Sequence, residues 1–168
     1  MLARPLLFSA VIAALALSGC ATKQKRKLPK WERPISKTEF QTVRTTAYTH
    51  SEADHIQYGR NNAIGTTLQS AGMKSASADW GRWPMGTVFR VLDTGETYVV
   101  DDYGWALAGT NTIDLYKSSR SDMNRWGVRK VDIQILHWGS PEQSYAVLAP
   151  RQKHRHVERM VKELRGQM

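Results

Sequence analysis

Alternating apolar and polar residues predict short β-strands through the middle of the chain. The segment QTVRTTAYT, residues 41–49, alternates and is rich in Thr, Val and Tyr, which favour strands. Residues 87–92 and 97–101 alternate on either side of the sequence DTGE, which is typical of a hairpin turn. Further strands are predicted at residues 76–79, 112–116 and 129–136. Six short strands favour a compact β-barrel over a layered α/β fold.

Helical patterns are fewer. Residues 119–126 have helical spacing and stop at Gly127, which predicts a short helix. The predicted basic C-terminal helix, residues 141–168, has a thin apolar stripe made of Val157, Met160, Val161 and Leu164. The pattern leaves open whether this helix docks on the barrel or projects from it. The polar residues 51–72 predict a long loop. The expected fold is therefore mainly β, a six-stranded barrel with a short helix and a C-terminal helical tail.

The formal net charge of +9 is unevenly distributed. Residues 31–149 carry a net charge of −1, so the excess of positive charge lies in residues 22–30 and 151–168. A nearly neutral folded body argues against a nucleic-acid-binding protein, which requires a basic face on the fold itself. Basic tails suit an anionic surface such as lipid head groups or an acidic wall polymer. They are equally compatible with a solvated linker and helix.

The N-terminus predicts an exported protein. Arg4 precedes an apolar run over residues 6–17, which is too short to span a bilayer and is typical of a signal peptide, residues 1–19. The sequence LSGC that follows resembles the bacterial lipobox, which implies cleavage before Cys20 and a lipid on its thiol. Residues 20–37 are then a lipidated basic linker. By resemblance to enterobacterial sorting, the lack of Asp after Cys20 favours the outer membrane, facing the periplasm. An uncleaved anchor helix with an incidental cysteine is the alternative.

Carboxylates stand at three unusual positions. Asp114 lies between Ile113 and Leu115 in a predicted strand, where an ionised group pays heavily for lost water unless it faces solvent or serves a site. A single acid in a strand is more often solvated. Asp79 and Asp102 also stand where a predicted strand meets a loop. If the strands converge, like charges raise at least one pKa and can keep a carboxyl protonated as a general acid.

Several separate motifs occur in one order over residues 43–138. They are Thr46-Ala47-Tyr48, Ala78-Asp79 ahead of Trp83-Pro84-Met85-Gly86-Thr87, Asp102-x-Gly104, Gly109, Ile113-Asp114-Leu115-Tyr116 and Trp126-Gly127. This series resembles the 3D, or three-aspartate, domain of MltA-type lytic transglycosylases and small muralytic proteins of Gram-positive bacteria. The resemblance implies a double-psi β-barrel over residues 38–140. It maps the three aspartates onto Asp79, Asp102 and Asp114, with Asp102 preferred to Asp101 because of its spacing to Gly104.

The resemblance also implies an activity. Peptidoglycan glycan strands are the implied substrate, cleaved at the β-1,4 bond between N-acetylmuramic acid and N-acetylglucosamine. Asp114 is the implied catalytic acid, supported by Asp102 and Asp79, while Thr46 and Tyr48 line the floor of the site. No cofactor and no metal ion are implied.

Two departures from the family pattern affect this interpretation. Where the family has Gly-Gly, this chain has Gly104-Trp105, and the loop that follows is one residue longer. Trp105 either crowds the pocket or stacks on a sugar ring, whereas Trp80 and Trp83 are expected to pack inside the barrel. The chain also lacks the second domain of the large transglycosylases. His50, His55 and His137 lack a metal-ligand spacing and are interpreted as surface or core residues.

Three alternatives remain open at this level. The barrel could bind peptidoglycan without cleaving it, and the Gly-to-Trp105 change favours that hypothesis. Three carboxylates could instead hold Ca²⁺. A purely structural envelope lipoprotein could use residues 151–168 to bind a partner protein.

Overall fold

The structure is a computed structural model that describes residues 27–53 and 55–168. The predicted signal peptide and Cys20 lie outside the described residues. Within the described part of the chain, no helix is long and apolar enough to cross a membrane.

Six strands form a closed barrel. They are β1 (Phe40–Tyr48), β2 (Lys74–Ser77), β3 (Val88–Val91), β4 (Thr97–Asp102), β5 (Thr112–Tyr116) and β6 (Arg129–His137). Their order around the barrel is β1-β5-β2-β4-β3-β6. The pairs β1·β5 and β2·β4 are parallel, and the other four pairs are antiparallel. The mainly β, six-stranded barrel predicted from the sequence is confirmed.

The barrel is filled by the inward side chains of its strands. Because neighbouring residues of a strand face opposite sides, every second residue is buried. In β6 these are Val131, Ile133 and Ile135. Trp80 and Trp83 are 0% and 1% exposed and belong to the same core, as the sequence predicted.

The helices are α1 (Arg120–Trp126), α2 (Pro141–Leu148) and α3 (Arg155–Arg165). Where the sequence predicted one C-terminal helix, the structure has two. They are separated by a 3-10 turn over Ala149–Arg151 and by the extended backbone of His154. The missed helix α2 begins at an ordinary start signal, because the Ser140 hydroxyl accepts from the backbone N–H of Gln143.

Helix α3 docks on the barrel. The four residues of its apolar stripe are at most 1% exposed and belong to the main core. The choice between a docked and a projecting helix is thereby decided for docking. Burying these side chains contributes about 1.5–3 kcal/mol each.

Part of the predicted linker also lies on this body. The Trp31 indole N–H donates to Glu163 of α3 at 3.0 Å, and the backbone N–H of Glu32 donates to the carbonyl of Gly109 at 2.8 Å. Arg159 of α3 donates to the carbonyl of Pro29 at 3.0 Å. Residues 29, 31 and 32 of the predicted linker therefore pack against the barrel and α3.

Candidate active site

Four polar residues form a row across four adjacent strands. In the strand register, Thr46 of β1 pairs with Asp114 of β5, and Asp114 pairs with Ser77 of β2. Ser77 in turn pairs with Asp102 of β4, beside a bulge in β2. Neighbouring strands lie about 4.8 Å apart, so the Cα atoms of Asp114 and Asp102 are about 10 Å apart. The barrel thus brings together two carboxylates that are separated in sequence by a long loop.

All four of these residues line one groove with a volume of about 960 Å³. The loop after β1, the loop after β4 and residues 150–156 complete its walls. Tyr48, Gly104 and Trp105 also line the groove. Every residue predicted to bind substrate therefore borders the same space as Asp102 and Asp114.

Asp114 is only partly buried, unlike its apolar neighbours in β5. The Thr46 hydroxyl donates to Asp114 Oδ1 at 2.6 Å. An acid can stand in the middle of this barrel strand because its side chain lines the groove and accepts a hydrogen bond from Thr46. A ligand in the groove can reach this carboxyl.

Asp102 is the more deeply buried carboxylate. It accepts hydrogen bonds from the Tyr48 hydroxyl at 3.1 Å and from the backbone N–H groups of Tyr103 and Ala63 at 2.9 and 3.1 Å. Burial raises the pKa of Asp102 to about 7, with the charge of Asp101 adding to the rise and these hydrogen bonds opposing it. Near neutral pH this carboxyl therefore exists in both protonation states.

Tyr48 keeps its proton. Burial raises the pKa of the Tyr48 phenol well above its usual value, and the charges of Asp102, Asp101 and Asp114 add to the effect. Its hydroxyl is therefore a permanent donor to Asp102.

Asp101 has a different role from Asp102, because adjacent strand residues face opposite sides. Asp101 Oδ2 accepts from the Ser75 hydroxyl at 2.6 Å and from the Asn62 amide at 2.9 Å. Asp101 does not line the groove. Through Asn62, Asp101 attaches the loop after β1 to the barrel. Of the two adjacent acids, Asp102 is the one that lines the groove, and it is also the one that the motif spacing selected.

Asp79 does not join the other two acids. It is fully buried, lies outside the lining of the groove, and accepts from the backbone N–H groups of Gly81 at 2.8 Å and Gly109 at 2.5 Å. Burial and then the charge of Glu163 raise the pKa of Asp79 to about 7. The expectation of three carboxylates in one groove is corrected to two. Asp79 instead fixes the loop that carries Gly104 and Trp105, because its turn after β2 points the side chain beneath that loop.

Two parts of the groove were missed at the sequence level. His55 lines it, with its ring 5.7 Å from that of Tyr48, although the sequence indicated a surface or core histidine. Residues 150–156 form another wall. The only signal for that wall was the apolar stripe of α3, which predicts docking without indicating where.

Among the residues that the structure describes, no group of three His, Cys, Asp or Glu side chains is arranged to hold a metal ion.

A scan of the sequence against protein-family models finds no matching model, and a search of curated proteins finds no significant match. The resemblance to the three-aspartate domain therefore stays a prediction that rests on the motifs quoted above.

Proposed function

We propose that this protein is a peptidoglycan-cleaving envelope lipoprotein that acts as a lytic transglycosylase. The observation that carries the proposal is that Asp114 and Asp102 line one groove, in register across neighbouring strands. The volume of that groove, about 960 Å³, is near the upper end of the usual range for ligand pockets, about 300–1,000 Å³. Such a volume suits an oligosaccharide better than a small metabolite.

The proposed fold is a double-psi β-barrel. Support comes from the closed arrangement of six strands with two parallel pairs, β1·β5 and β2·β4. The aspartate motifs stand in these strands and in the loops between them.

In the proposed reaction Asp114 acts first as an acid. Its proton passes to the glycosidic oxygen as the bond from C1 of N-acetylmuramic acid to that oxygen breaks, which releases the 4-hydroxyl of N-acetylglucosamine. The muramic 6-hydroxyl then closes on C1 and gives its proton to the Asp114 carboxylate. The product is a 1,6-anhydro ring, and no water is consumed. Because the nucleophile is internal, one acid/base residue is enough, unlike the two carboxylates of inverting glycosidases.

Asp102 supports this chemistry without being the proton donor. It is buried and held by three donors, whereas Asp114 is open to the groove. In its ionised form Asp102 stabilises the positive charge that develops at C1. Trp105, at the groove wall, offers a ring face for a sugar. Asp79 holds the Trp105 loop in place through Gly109.

Digestion of purified sacculi tests the proposal. Mass spectrometry of the products from the wild type is expected to show anhydromuropeptides, and Asp114→Asn is expected to give none. Asp93→Asn, in the exposed turn between β3 and β4, is the matched control and should digest like the wild type. Products with reducing ends would indicate hydrolysis instead. Binding of sacculi without any product would favour the non-catalytic peptidoglycan-binding barrel.

We also propose a lipid anchor on Cys20 at the outer membrane, facing the periplasm. The support is the LSGC sequence after the apolar run. Metabolic labelling with a palmitate analogue should mark the wild type, and Cys20→Ser should lose both the label and membrane fractionation. An unlabelled wild type would remove this part of the proposal while leaving the enzymatic part intact.

A further inference from the structure

One wall of the groove, which we call the basic wall, is built by residues 150–156, the end of the connection to α3 together with the first turn of that helix. Residues Pro150, Arg151, Lys153, His154 and His156 line the groove from this side. Among the described residues that line it, the only Lys and Arg side chains come from this segment. Glu52, Asp102 and Asp114 line the same groove. A single groove therefore presents both carboxylates and cations.

This basic wall is held firmly. Arg151 donates to the carbonyl of Ala63 at 3.0 Å and to the Tyr103 hydroxyl at 3.3 Å. The Tyr103 ring packs edge-on against the buried Trp80, with 5.1 Å between ring centroids. The segment is also continuous with α3, whose apolar face is buried in the core. The basic wall is thus a built part of the site rather than a loose tail.

Lys153 is the cation of the basic wall that remains available to a ligand. Its side chain is exposed, and in the described part of the chain its ammonium group has neither a hydrogen bond nor an ion pair. His154 beside it is also exposed. Burial, and then the charge of His154, lowers the pKa of His156, so this imidazole is neutral near pH 7 and can donate one hydrogen bond.

The charges of the groove select among glycans. The carboxylates on its floor repel a glycan that carries negative charge, whereas a neutral glycan of the same backbone feels no such repulsion. Muramic acid residues carry either a lactyl carboxylate or a stem peptide with its own carboxylates. A wall of cations beside the acids offsets the repulsion and favours glycans of this kind.

We propose that Lys153, positioned beside Arg151 and His154, binds a carboxylate of the bound glycan, from either the lactyl group or the stem peptide. This inference rests on the proposed function, because it takes the groove to be a peptidoglycan site.

Calorimetric titration in an Asp114→Asn background tests the inference without turnover. Three ligands are compared: neutral chitohexaose, glycan strands stripped of peptides so that only lactyl carboxylates remain, and peptide-bearing glycan strands. The Lys153→Gln variant is expected to bind carboxylate-bearing strands roughly twofold to fivefold more weakly, the loss that corresponds to one exposed ion pair. Chitohexaose binding should not change. A loss with stripped strands indicates the lactyl carboxylate, and a loss confined to peptide-bearing strands indicates the stem peptide.

Lys162→Gln is the matched control. Lys162 is exposed on α3, the helix that begins just after Lys153, and does not line the groove, so its replacement should leave all three affinities unchanged. Raising the salt concentration should weaken binding of the carboxylate-bearing strands but not of chitohexaose.

The inference is overturned if Lys153→Gln and Lys162→Gln bind alike, if chitohexaose binding falls equally, or if no glycan binds. Selective binding by a protein whose wild type releases no product from sacculi would sustain the basic wall while removing the proposed catalysis.

Discussion

The hydroxyl of Tyr48 donates a hydrogen bond of 3.1 Å to Asp102, joining two strands that are not neighbours in the barrel. Strands β5 and β2 lie between them, and β5 carries Asp114. The bond therefore passes across the floor of the groove and ties its buried acid to the strand that supplies Thr46.

Replacing Tyr48 with Phe should raise the pKa of Asp102 from its value of about 7, because the hydrogen bond that Tyr48 donates stabilises the ionised carboxylate and is removed. It should also lower the free energy of unfolding at pH 8 by about 1–2 kcal/mol, since a buried acceptor loses a donor. Carbon-13 NMR of labelled aspartate and urea unfolding measure the two effects. Tyr58→Phe, at an exposed tyrosine that also lines the groove, is the control. Equal Asp102 titration in both variants would contradict the prediction.

Stability should fall as the pH rises from about 4 to about 7. The pKa values of Asp79 and Asp102 are raised from 3.8 to about 7 in the fold. Below the unfolded-state pKa of 3.8, both carboxyls are largely protonated in the folded and the unfolded states. Between pH 3.8 and about 7, they ionise in the unfolded state but stay largely protonated in the folded state. The folded state then binds more protons, so each group lowers the free energy of unfolding by up to about 1.4 kcal/mol per pH unit.

Urea unfolding of the wild type and of Asp102→Asn at pH 5, 6 and 7 measures this slope. The variant should lose the contribution of Asp102 and show a shallower decline with pH. Asp132→Asn, at an exposed acid of β6, should keep the wild-type slope. A wild-type stability that rises over this range would contradict the raised pKa values.

Gly109→Ala should be strongly destabilising. Gly109 has a φ of +78°, and an added Cβ would lie 2.5 Å from the Arg159 guanidinium and 2.9 Å from its Cδ. Strain and displacement of Arg159 together should cost about 2–3 kcal/mol. Gly95→Ala is the matched control, because Gly95 has a φ of +69° but nothing within 4 Å of the added Cβ. Thermal unfolding should show the smaller loss, about 1 kcal/mol, for the control; equal losses would mean that the close approach of Arg159 costs nothing.

Trp105→Ala should weaken the binding of chitohexaose by roughly tenfold, the loss expected when an aromatic contact at the centre of an interface is removed. Titration calorimetry in the Asp114→Asn background measures it. Trp138→Ala, at a half-buried tryptophan that does not line the groove, should bind like its parent. Unchanged or tighter binding by the Trp105 variant would show that the indole crowds the site instead of stacking on a sugar.

The strands could be predicted because their local pattern and their tertiary role agree. Residues 41–49 were predicted and Phe40–Tyr48 is observed, since half-buried barrel strands require the alternation that the sequence displays. The strand predicted at residues 76–79 is observed two residues earlier, at Lys74–Ser77. Asp79 explains the shift, because its side chain accepts from the backbone of Gly81 and ends the strand in a turn.

The site could be predicted only in part. Motif spacing selected Asp102 and Asp114, but their strands meet only because both pair with β2. The register of that pairing, set by Ser77 far earlier in the sequence, is contained in no local pattern. The same limit led to the misplacement of Asp79, which has the strand–loop context of the other acids but faces a different side. The basic wall had no local signal in the sequence, since Arg151 contacts the groove through the carbonyl of Ala63, which lies 88 residues earlier in the chain.

The contacts of Pro29, Trp31 and Glu32 with the body set the length of chain that remains between the barrel and the proposed lipid anchor. With a lipid on Cys20, only residues 20–28 separate the acyl chains from the first docked residue, and nine residues span at most about 30 Å even when fully extended. The groove would then stay within a few tens of ångströms of the membrane surface. Glycan strands farther from the membrane would be out of reach, so the length of the linker would determine which strands the protein can bind.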